Sequence, residues 1–321
     1  MTELPLGWTT RRPTLDDVPA ILELVHASDI AAVGEPDFTS DEVREELTNP
    51  NTDMSRDCWL AIDDSGKIVG WAYPGNSTGG TRDFVNVYFW PGSGLPALKP
   101  LLELIMARMV ERAAELGHQT YEVRSGAIPG ETELIEALTG AGFVFLKQFA
   151  RMNMSLDGVS PVAPEPPAGI TVRPVRQDDE AELRGFHAVI EEAFADSDHE
   201  VIPFDGWREQ VAKAPTPFDE WFVAEADGQI VGALESTDGG EETDEGWVKR
   251  LGVLRAYRKR GVGEALLRRA FATYAAKGRP KAGLGVDLAN PTDAASLYLK
   301  VGMEALYRAN IYRTTVEAAG A

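Results

Sequence analysis

Two segments of the chain have apolar residues at the spacing of one helix face, each directly after a pair of aspartates. The first segment follows Asp16-Asp17 and the second follows Asp178-Asp179. Their apolar positions are Val18, Ile21, Leu22 and Val25 in the first, and Leu183, Phe186 and Ile190 in the second. Aspartate directly before an apolar periodic segment is typical of a helix start. The pattern predicts an Asp-capped amphipathic helix near the start of each half of the chain.

Short alternating strands follow each of these helices and are separated by turn residues. The turns are Asp64-Ser65-Gly66 in the first half and Asp227-Gly228 in the second, which predicts a hairpin in each. Both halves continue with a strand, a long helix, a strand, a short helix and a last strand. The long helices are predicted over Ala97–Leu116 and Gly263–Ala276. This order favours the α+β class, with a mixed, mostly antiparallel sheet flanked by helices.

The similarity of the two halves extends to the residues themselves. Arg12-Pro13 recurs as Arg173-Pro174, and Ala141-Gly142-Phe143 recurs as Val301-Gly302-Met303. The strand Trp59–Ile62 likewise recurs as Trp221–Ala224. Because these matches are collinear and about 160 residues apart, they indicate a duplicated domain rather than a solenoid repeat.

A proline-rich segment separates the two copies and predicts a semi-rigid linker. Its prolines are Pro161, Pro164, Pro166 and Pro167. We therefore expect a first domain over residues 1–155, a linker over 156–169 and a second domain over 170–321.

Composition excludes several classes of function. The chain has 321 residues, of which 44% are hydrophobic and 26% charged, and its formal net charge is −20. An acidic surface of this kind repels nucleic acid and anionic membranes, so neither is an expected partner. The single cysteine, Cys58, cannot form an intramolecular disulfide, and no Cys/His spacing suits a metal. Met1–Trp8 lacks the pattern of a signal peptide, so we expect a cytoplasmic protein that is a monomer or a homodimer.

The second copy contains a strand, a glycine turn and a helix start in direct succession. The strand is Trp247–Val253, and the turn is Arg258-Lys259-Arg260-Gly261-Val262-Gly263-Glu264. Glycines let backbone N–H groups approach a phosphate, and a helix N-terminus adds partial positive charge. Residues 249–281 hold 11 of the 31 basic residues and a single acid, Glu264. A polyphosphate ligand is therefore expected at this turn.

The Arg-x-x-Gly-x-Gly turn after such a strand resembles the acyl-CoA-binding motif of the GCN5-related N-acetyltransferase (GNAT) superfamily. A second match begins at Asn290-Pro291 and runs through Tyr298 to Gly302-Met303, where Met303 replaces the usual phenylalanine. The resemblance implies acetyl-CoA as the acyl donor. The coenzyme-binding residues that it implies are Leu251, Gly252, Val253, Arg258, Lys259, Arg260, Gly261, Val262, Gly263, Glu264 and Asn290. From the residues alone, Asn290 could equally be a plain helix cap and Tyr298 a core aromatic.

The same resemblance implies catalytic roles in the transfer of an acetyl group to an amine. An N–H of Leu251–Val253 would polarise the thioester carbonyl, and Tyr298 would protonate the leaving sulfur. Related enzymes often carry a glutamate where this chain has Trp247, so the nearest acid on that strand face, Glu245, is the candidate general base. Glu235, Glu242, Asp244 and a water chain are alternatives for the base, and a solvated acidic turn is the plainer interpretation of residues 241–245.

The tandem arrangement resembles the mycothiol synthase type of GNAT protein and covers the whole chain. The first copy departs from the motif, because Pro96 and Pro100 lie where backbone donors would bind phosphate. We therefore expect one coenzyme site per chain, in the second copy. Two functions follow as hypotheses: an N-acetyltransferase acting on a small-molecule amine, and a non-catalytic acyl-CoA-binding or interaction protein, which the missing glutamate at Trp247 favours.

Overall fold

The computed structural model describes residues 3–76, 81–199, 201–213, 216–238, 244–289 and 294–318. These residues form two compact units. The first unit consists of residues 1–148 and 308–321, and the second of residues 149–307. No helix in the described part of the chain is both long and apolar enough to cross a membrane.

The first unit contains five α-helices and six strands among its described residues. Its helices are α1 Val18–Val33, α2 Ser40–Thr48, α3 Met54–Asp57, α4 Leu95–Glu115 and α5 Thr132–Gly140. Its strands are β1 Thr9–Arg11, β2 Trp59–Ile62, β3 Ile68–Gly75, β4 Arg82–Phe89, β5 Thr120–Ala127 and most of β12 Glu304–Glu317. The strand order is β1-β2-β3-β4-β5-β12, and only β4 and β5 are parallel.

The second unit repeats this plan in the residues that the structure describes. Its helices are α6 Glu180–Phe194, α7 Phe204–Lys213, α8 Val262–Ala276 and α9 Ala294–Lys300. Its strands are the larger part of β6 Val144–Ser155, then β7 Thr171–Pro174, β8 Phe222–Ala226, β9 Gln229–Asp238, β10 Glu245–Val253 and β11 Lys281–Asp287. The order is β6-β11-β10-β9-β8-β7, and only β10 and β11 are parallel. The predicted α+β class with a mixed, mostly antiparallel sheet in each unit is confirmed.

Each unit takes its last strand from the other half of the chain. Residues Phe149–Ser155 of β6 pair with β11 of the second unit. Residues Asn310–Glu317 of β12 pair with β5 of the first unit. The compact units thus differ from the single cut that the sequence suggested, since each contains a strand from beyond the linker. The boundaries 1–155, 156–169 and 170–321 stay a prediction about the duplication itself.

Helices cover both faces of the sheet in the second unit. Helix α8 packs its apolar side, which includes Leu266, Ala270 and Phe271, into one core with β8 to β11. Helix α6 packs Phe186 and Ile190 against Trp221 and Val223 on the opposite face. The sheet therefore has an α8 face and an α6 face, and successive residues of each strand point alternately to one and the other.

The two predicted aspartate caps differ in the structure. The Asp179 side chain accepts a hydrogen bond from the Glu182 backbone N–H and caps α6 as expected. In the first unit a 3₁₀ turn over Leu15–Asp17 precedes α1, and Thr14 and Asp17 form the capping box of that turn instead. Asp17 also accepts two hydrogen bonds from Arg11, which lower the pKa of its carboxyl. The extra turn has moved the cap three residues toward the N-terminus.

A buried ion-pair network ties α3 and α4 to β4 in the first unit. Asp57 is 1% exposed and accepts hydrogen bonds from Arg108 Nε at 2.7 Å and Arg112 Nη1 at 2.9 Å. Arg112 Nε also donates to Asp83 at 2.7 Å. Removing Asp57 would leave two buried guanidinium N–H groups without their acceptor, although Asp83 and Glu115 still pair with the two arginines.

We expect Asp57→Ala to lower the free energy of unfolding by about 3–5 kcal/mol. As a matched control, Glu180→Ala removes an exposed ion pair with Arg184 and is expected to cost at most about 0.5 kcal/mol. Urea unfolding of the full chain measures both. Equal losses in the two variants would show that the buried network does not hold α4 in place.

Candidate functional site

The parallel strands β10 and β11 part half-way along their length. They pair from Glu245 with Lys281 to Val248 with Leu284. Directly beyond Val248, the register between β10 and β9 shifts, and Lys249 is the extra residue. Such a β-bulge bends the strand and increases its twist, and here it turns β10 away from β11.

Beyond the bulge, β10 continues along β9 alone in the pairing that the structure describes. Leu251, Gly252 and Val253 pair with residues 232–234 of β9. A strand paired on one edge presents backbone N–H and C=O groups along the other, and an extended ligand can pair with them. The bulge therefore lies at the start of a wedge between β10 and β11, beside the three β10 residues Leu251, Gly252 and Val253 that were predicted to bind the coenzyme.

The predicted glycine turn lies at the end of β10 and begins α8. Gly261 is the N-cap of α8 and has φ +81°, a conformation that favours glycine. A Cβ at Gly261 would also lie 2.8 Å from Pro167 Cγ. A Cβ at Gly263 would lie 3.0 Å from Leu297 Cδ2. The first N–H groups of α8, from Val262 to Glu264, have no acceptor within the helix and form an anion-binding end.

The charged side chains of the turn have different surroundings. Arg258 donates from Nε to the Val253 carbonyl at 3.0 Å and from Nη2 to the Ala193 carbonyl at 3.1 Å. Arg258 thus anchors the turn to the end of β10 and to α6. Lys259 has φ +60°, and the Arg260 guanidinium lies 5.1 Å from the Tyr257 ring centre.

Glu264 joins the start of α8 to α9. It accepts hydrogen bonds from Lys300 Nζ at 2.6 Å and Arg268 Nε at 3.0 Å. These two bonds, the one from Lys300 first, lower the pKa of the Glu264 carboxyl. Glu264 therefore stays ionised and positions α9 beside the anion-binding end.

Tyr298 lies on α9 and is 8% exposed in the core beneath α8, together with Val262 and Val301. Burial alone raises the pKa of its phenol to about 12. Tyr298 is consequently protonated throughout the neutral range, as an acid must be before it acts. Asn290, the other residue predicted for this segment, lies outside the described residues, as do 291–293.

The two candidate bases lie on the face of the sheet opposite α8. Glu245 Oε2 accepts a hydrogen bond from Arg151 Nη2 at 2.7 Å, and the Arg151 guanidinium lies 4.5 Å from the Trp247 ring centre. Glu235 is 1% exposed and bonded to Arg250 Nε at 2.6 Å. Glu241 and Glu242 lie outside the described residues. Glu245 and Glu235 are therefore each paired with an arginine, and Asp244, the third described candidate, directly precedes β10 with φ +47°.

Comparison with known proteins places this site in a family. Residues 217–304 match the family model described as acetyltransferase (GNAT) domain. A GCN5-related N-acetyltransferase from Sphaerobacter thermophilus is 26% identical and has a TM-score of 0.83, with 98% of each chain covered. The second unit thus contains a match to the GNAT domain, and the whole chain shares the fold of GNAT proteins. GNAT domains transfer an acyl group from acyl-CoA, so the match supports acyl transfer.

Two further solved structures share the fold of the whole chain. A tandem GNAT protein from the clavulanic acid biosynthesis pathway has a TM-score of 0.66 at 16% identity, with 98% of this chain and 99% of that one covered. A glucosamine N-acetyltransferase region of a fungal multi-domain β-N-acetylglucosaminidase has a TM-score of 0.67 at 15% identity, covering 97% of this chain and 38% of that one. No curated protein sequence matches the chain.

The first unit lacks the bulge of the second, although its β4 and β5 also part beyond Phe84 and Arg124. Its β3 and β4 pair without a register shift, from Gly70 with Phe89 to Gly75 with Phe84. Its turn is also packed shut, because a Cβ at Gly94 would collide with the backbone of Val69 and Trp90. The degeneracy inferred from Pro96 and Pro100 therefore has a structural counterpart in the strand and the turn.

Sequence reasoning missed the arginines on the α6 face of the GNAT site. Arg250 lies opposite Glu235 only because the bulge shifts the register, which no local pattern reveals. Arg151 precedes the linker and reaches Glu245 across 94 positions of sequence. Its position at this site could have been predicted only if the pairing of β6 with β11 had been known.

We expect Gly261→Ala to weaken acetyl-CoA binding at least roughly tenfold, a loss of about 1.4 kcal/mol. The methyl group would meet Pro167 and strain the turn. Gly278→Ala is the matched control, because Gly278 has the same φ of +81° but no atom within 4 Å of its Cβ position. Both variants should lose about 1–2 kcal/mol of stability from the backbone strain. Calorimetric titration of the full chain would contradict this prediction if both variants bound acetyl-CoA like the parent.

Proposed function

We propose that the chain is an N-acetyltransferase that moves an acetyl group from acetyl-CoA to a small-molecule amine, with its active site in the second unit. The observation that carries the proposal is the parting of β10 and β11 beyond Val248 and Leu284, where the N-terminus of α8 at Gly263 lies beside Leu251 and Val253 of β10. An extended thioester substrate with an anionic end fits this succession of backbone donors. The motif residues Leu251 to Val253 and Arg258 to Glu264 would bind the coenzyme.

In the proposed reaction, the amine nitrogen attacks the thioester carbonyl carbon and the carbon–sulfur bond breaks. A backbone N–H of Leu251–Val253 would stabilise the negative charge that develops on the carbonyl oxygen. The proton that leaves the nitrogen passes to a base, and the thiolate takes a proton from an acid. Attack without an acyl-enzyme intermediate requires both substrates to be bound together.

Tyr298 is the proposed acid. Burial raises the pKa of its phenol to about 12, above that of a free thiol near 8.5, so complete proton transfer to a thiolate is uphill. The phenol would therefore act first as a hydrogen-bond donor to the developing thiolate. Because burial raises its pKa, its donor role should persist across the alkaline range in which the amine loses its proton.

Glu245 is the proposed base, with Glu235 as the alternative. The Glu245 carboxylate leans over β11, since a Cβ at Gly283 would collide with Glu245 Oε1. Glu235 lies closer to the bulge but is bonded to both Arg250 and Lys249. The two cations occupy both carboxylate oxygens of Glu235, which favours Glu245.

A non-catalytic acyl-CoA-binding role is the second candidate function, supported by tryptophan instead of glutamate at position 247. Release of thiol from acetyl-CoA in the presence of a panel of amines separates the two candidates. The enzyme releases thiol with at least one amine and forms the amide. A pure binder is stabilised by acetyl-CoA, by about 2.7 kcal/mol at 100 times Kd, without any amine-dependent release.

We expect Tyr298→Phe to lower turnover by roughly 10²–10⁴ while leaving acetyl-CoA affinity little changed. Tyr274→Phe is the matched control, because Tyr274 is equally buried in the same unit but bonds Ser236 at 2.6 Å. That variant should lose stability rather than turnover. Single-turnover rates, measured where chemistry is rate-limiting, test this expectation. If both variants keep the parent rate, Tyr298 has only a packing role.

Amines are expected to be preferred over alcohols and carboxylates, and kcat/KM for a cationic amine should fall as salt rises. The physical reason is the charge distribution along the sequence, in which the acidic segment 241–245 precedes β10 and the basic turn follows it. Glu245→Gln should lower kcat/KM more than Glu241→Gln does. Turnover confined to neutral or anionic acceptors, without any salt dependence, would overturn this idea of steering.

A further inference from the structure

The Arg151 side chain extends across a neighbouring strand on the α6 face of the sheet, where the candidate bases of the proposed active site lie. It lies on β6 directly opposite Gly285 of β11. Its guanidinium nevertheless contacts Glu245 and Trp247 of β10, at 2.7 Å and 4.5 Å respectively. Neighbouring strands are about 4.8 Å apart, so the side chain spans β11 completely.

Two glycines on β11 make this crossing possible. A Cβ at Gly283 would collide with Glu245 Oε1 and lie 2.9 Å from Trp247 Cζ3. A Cβ at Gly285 would meet no atom within 4 Å. Glycine weakens a strand interior and marks a close approach by another group. Gly283 thus makes room for the Glu245 and Trp247 side chains, and Gly285 leaves open surface beside them.

The first unit shows that the fold does not require these glycines. Helices α4 and α8 end in the same turn, at Gly117 and Gly278, which aligns β5 with β11. In this alignment Glu122 corresponds to Gly283 and Arg124 to Gly285. These two side chains bond each other at 2.6 Å and fill the face that the second unit keeps clear.

The last strand preserves an arginine in both units. Arg313 lies opposite Arg124, as Arg151 lies opposite Gly285. In the first unit Arg313 is 52% exposed at its side chain and only 3.8 Å from Glu122. In the second unit Arg151 is 19% exposed and bonded to Glu245, which is itself 11% exposed. It is in the second unit, which holds the proposed site, that this arginine contacts the central strand β10.

We propose that Arg151 is a positioning residue for acceptor turnover: it holds the Glu245 carboxylate and the Trp247 indole in place beside the open surface at Gly285. This inference rests on the proposed function. The charge-assisted hydrogen bond fixes the carboxylate, and the cation–π contact fixes the plane of the guanidinium. Without Arg151, a carboxylate that is 11% exposed loses this counter-ion and turns toward water.

A double-mutant cycle on the full chain tests whether Arg151 acts through Glu245. Arg151→Met is expected to lower kcat/KM for the amine roughly 10²-fold, with acetyl-CoA affinity unchanged. Arg151→Lys should recover part of this loss. In the Glu245→Gln background, Arg151→Met should have little further effect. Additive losses, or an unchanged kcat/KM in the single variant, would overturn the proposal.

The geometry can be tested without turnover through the indole N–H signal of Trp247 in a ¹⁵N-tryptophan-labelled protein, assigned with Trp247→Phe. Arg151→Met and Gly283→Ala should both shift this signal, because each disturbs the contacts at Trp247. Gly285→Ala is the matched control and should leave it in place. A signal that does not move in Arg151→Met overturns the inference whatever the activity. Failure of the parent protein to release thiol with any amine would instead count against the proposed function.

Discussion

One extra residue in β10 sets which side chains the second unit presents at its candidate site. Lys249 forms the bulge directly beyond the last parallel pair of β10 with β11, Val248 with Leu284. In the first unit β4 has no such residue along β3, although its parallel pairing with β5 also ends, at Phe84 and Arg124. Both units therefore have a strand that continues along one neighbour only in the described pairing, and such a strand has backbone groups to offer a ligand. The bulge, which brings Arg250 opposite Glu235, is a local difference between the two copies of a shared plan.

The two faces of the sheet divide the proposed chemistry. The α8 face carries the glycine turn, the anion-binding end of α8 and Tyr298, and its side chains are fixed by apolar packing and by the Glu264–Lys300 ion pair. The α6 face carries carboxylates held by arginines. Apolar packing surrounds Tyr298 on the first face, whereas charge pairing holds the candidate carboxylates on the second. Donor and acceptor would thus approach the wedge from environments of opposite character.

Local patterns in the sequence were sufficient to predict most of the fold. Helical periodicity located α1, α6 and α8, and turn residues located both hairpins, because these signals lie within a few neighbouring residues. The glycine turn was predictable for the same reason, since Gly261 begins α8 in a conformation that favours glycine. Asn290 lies outside the described residues and stays a prediction.

The contacts on the α6 face could not be predicted in the same way. Its contacts join residues that are distant in sequence, and their register depends on a bulge and on strand exchange. Arg258 was predicted to bind the coenzyme, and in the structure its side chain donates to the backbone carbonyls of Val253 and Ala193. The motif indicates where such an arginine lies but not what its side chain contacts.

The exchanged last strands bear on how the chain can be cut or shortened. A protease that cleaved the proline-rich segment 156–169 would produce two fragments, each still carrying a strand that belongs to the other fragment's sheet. A gene shortened at the same place would leave β5 without β12 and β6 without β11, and exposed strand edges of this kind are prone to aggregation. Neither half of the chain can therefore be deleted without removing a strand from the sheet that the other half builds.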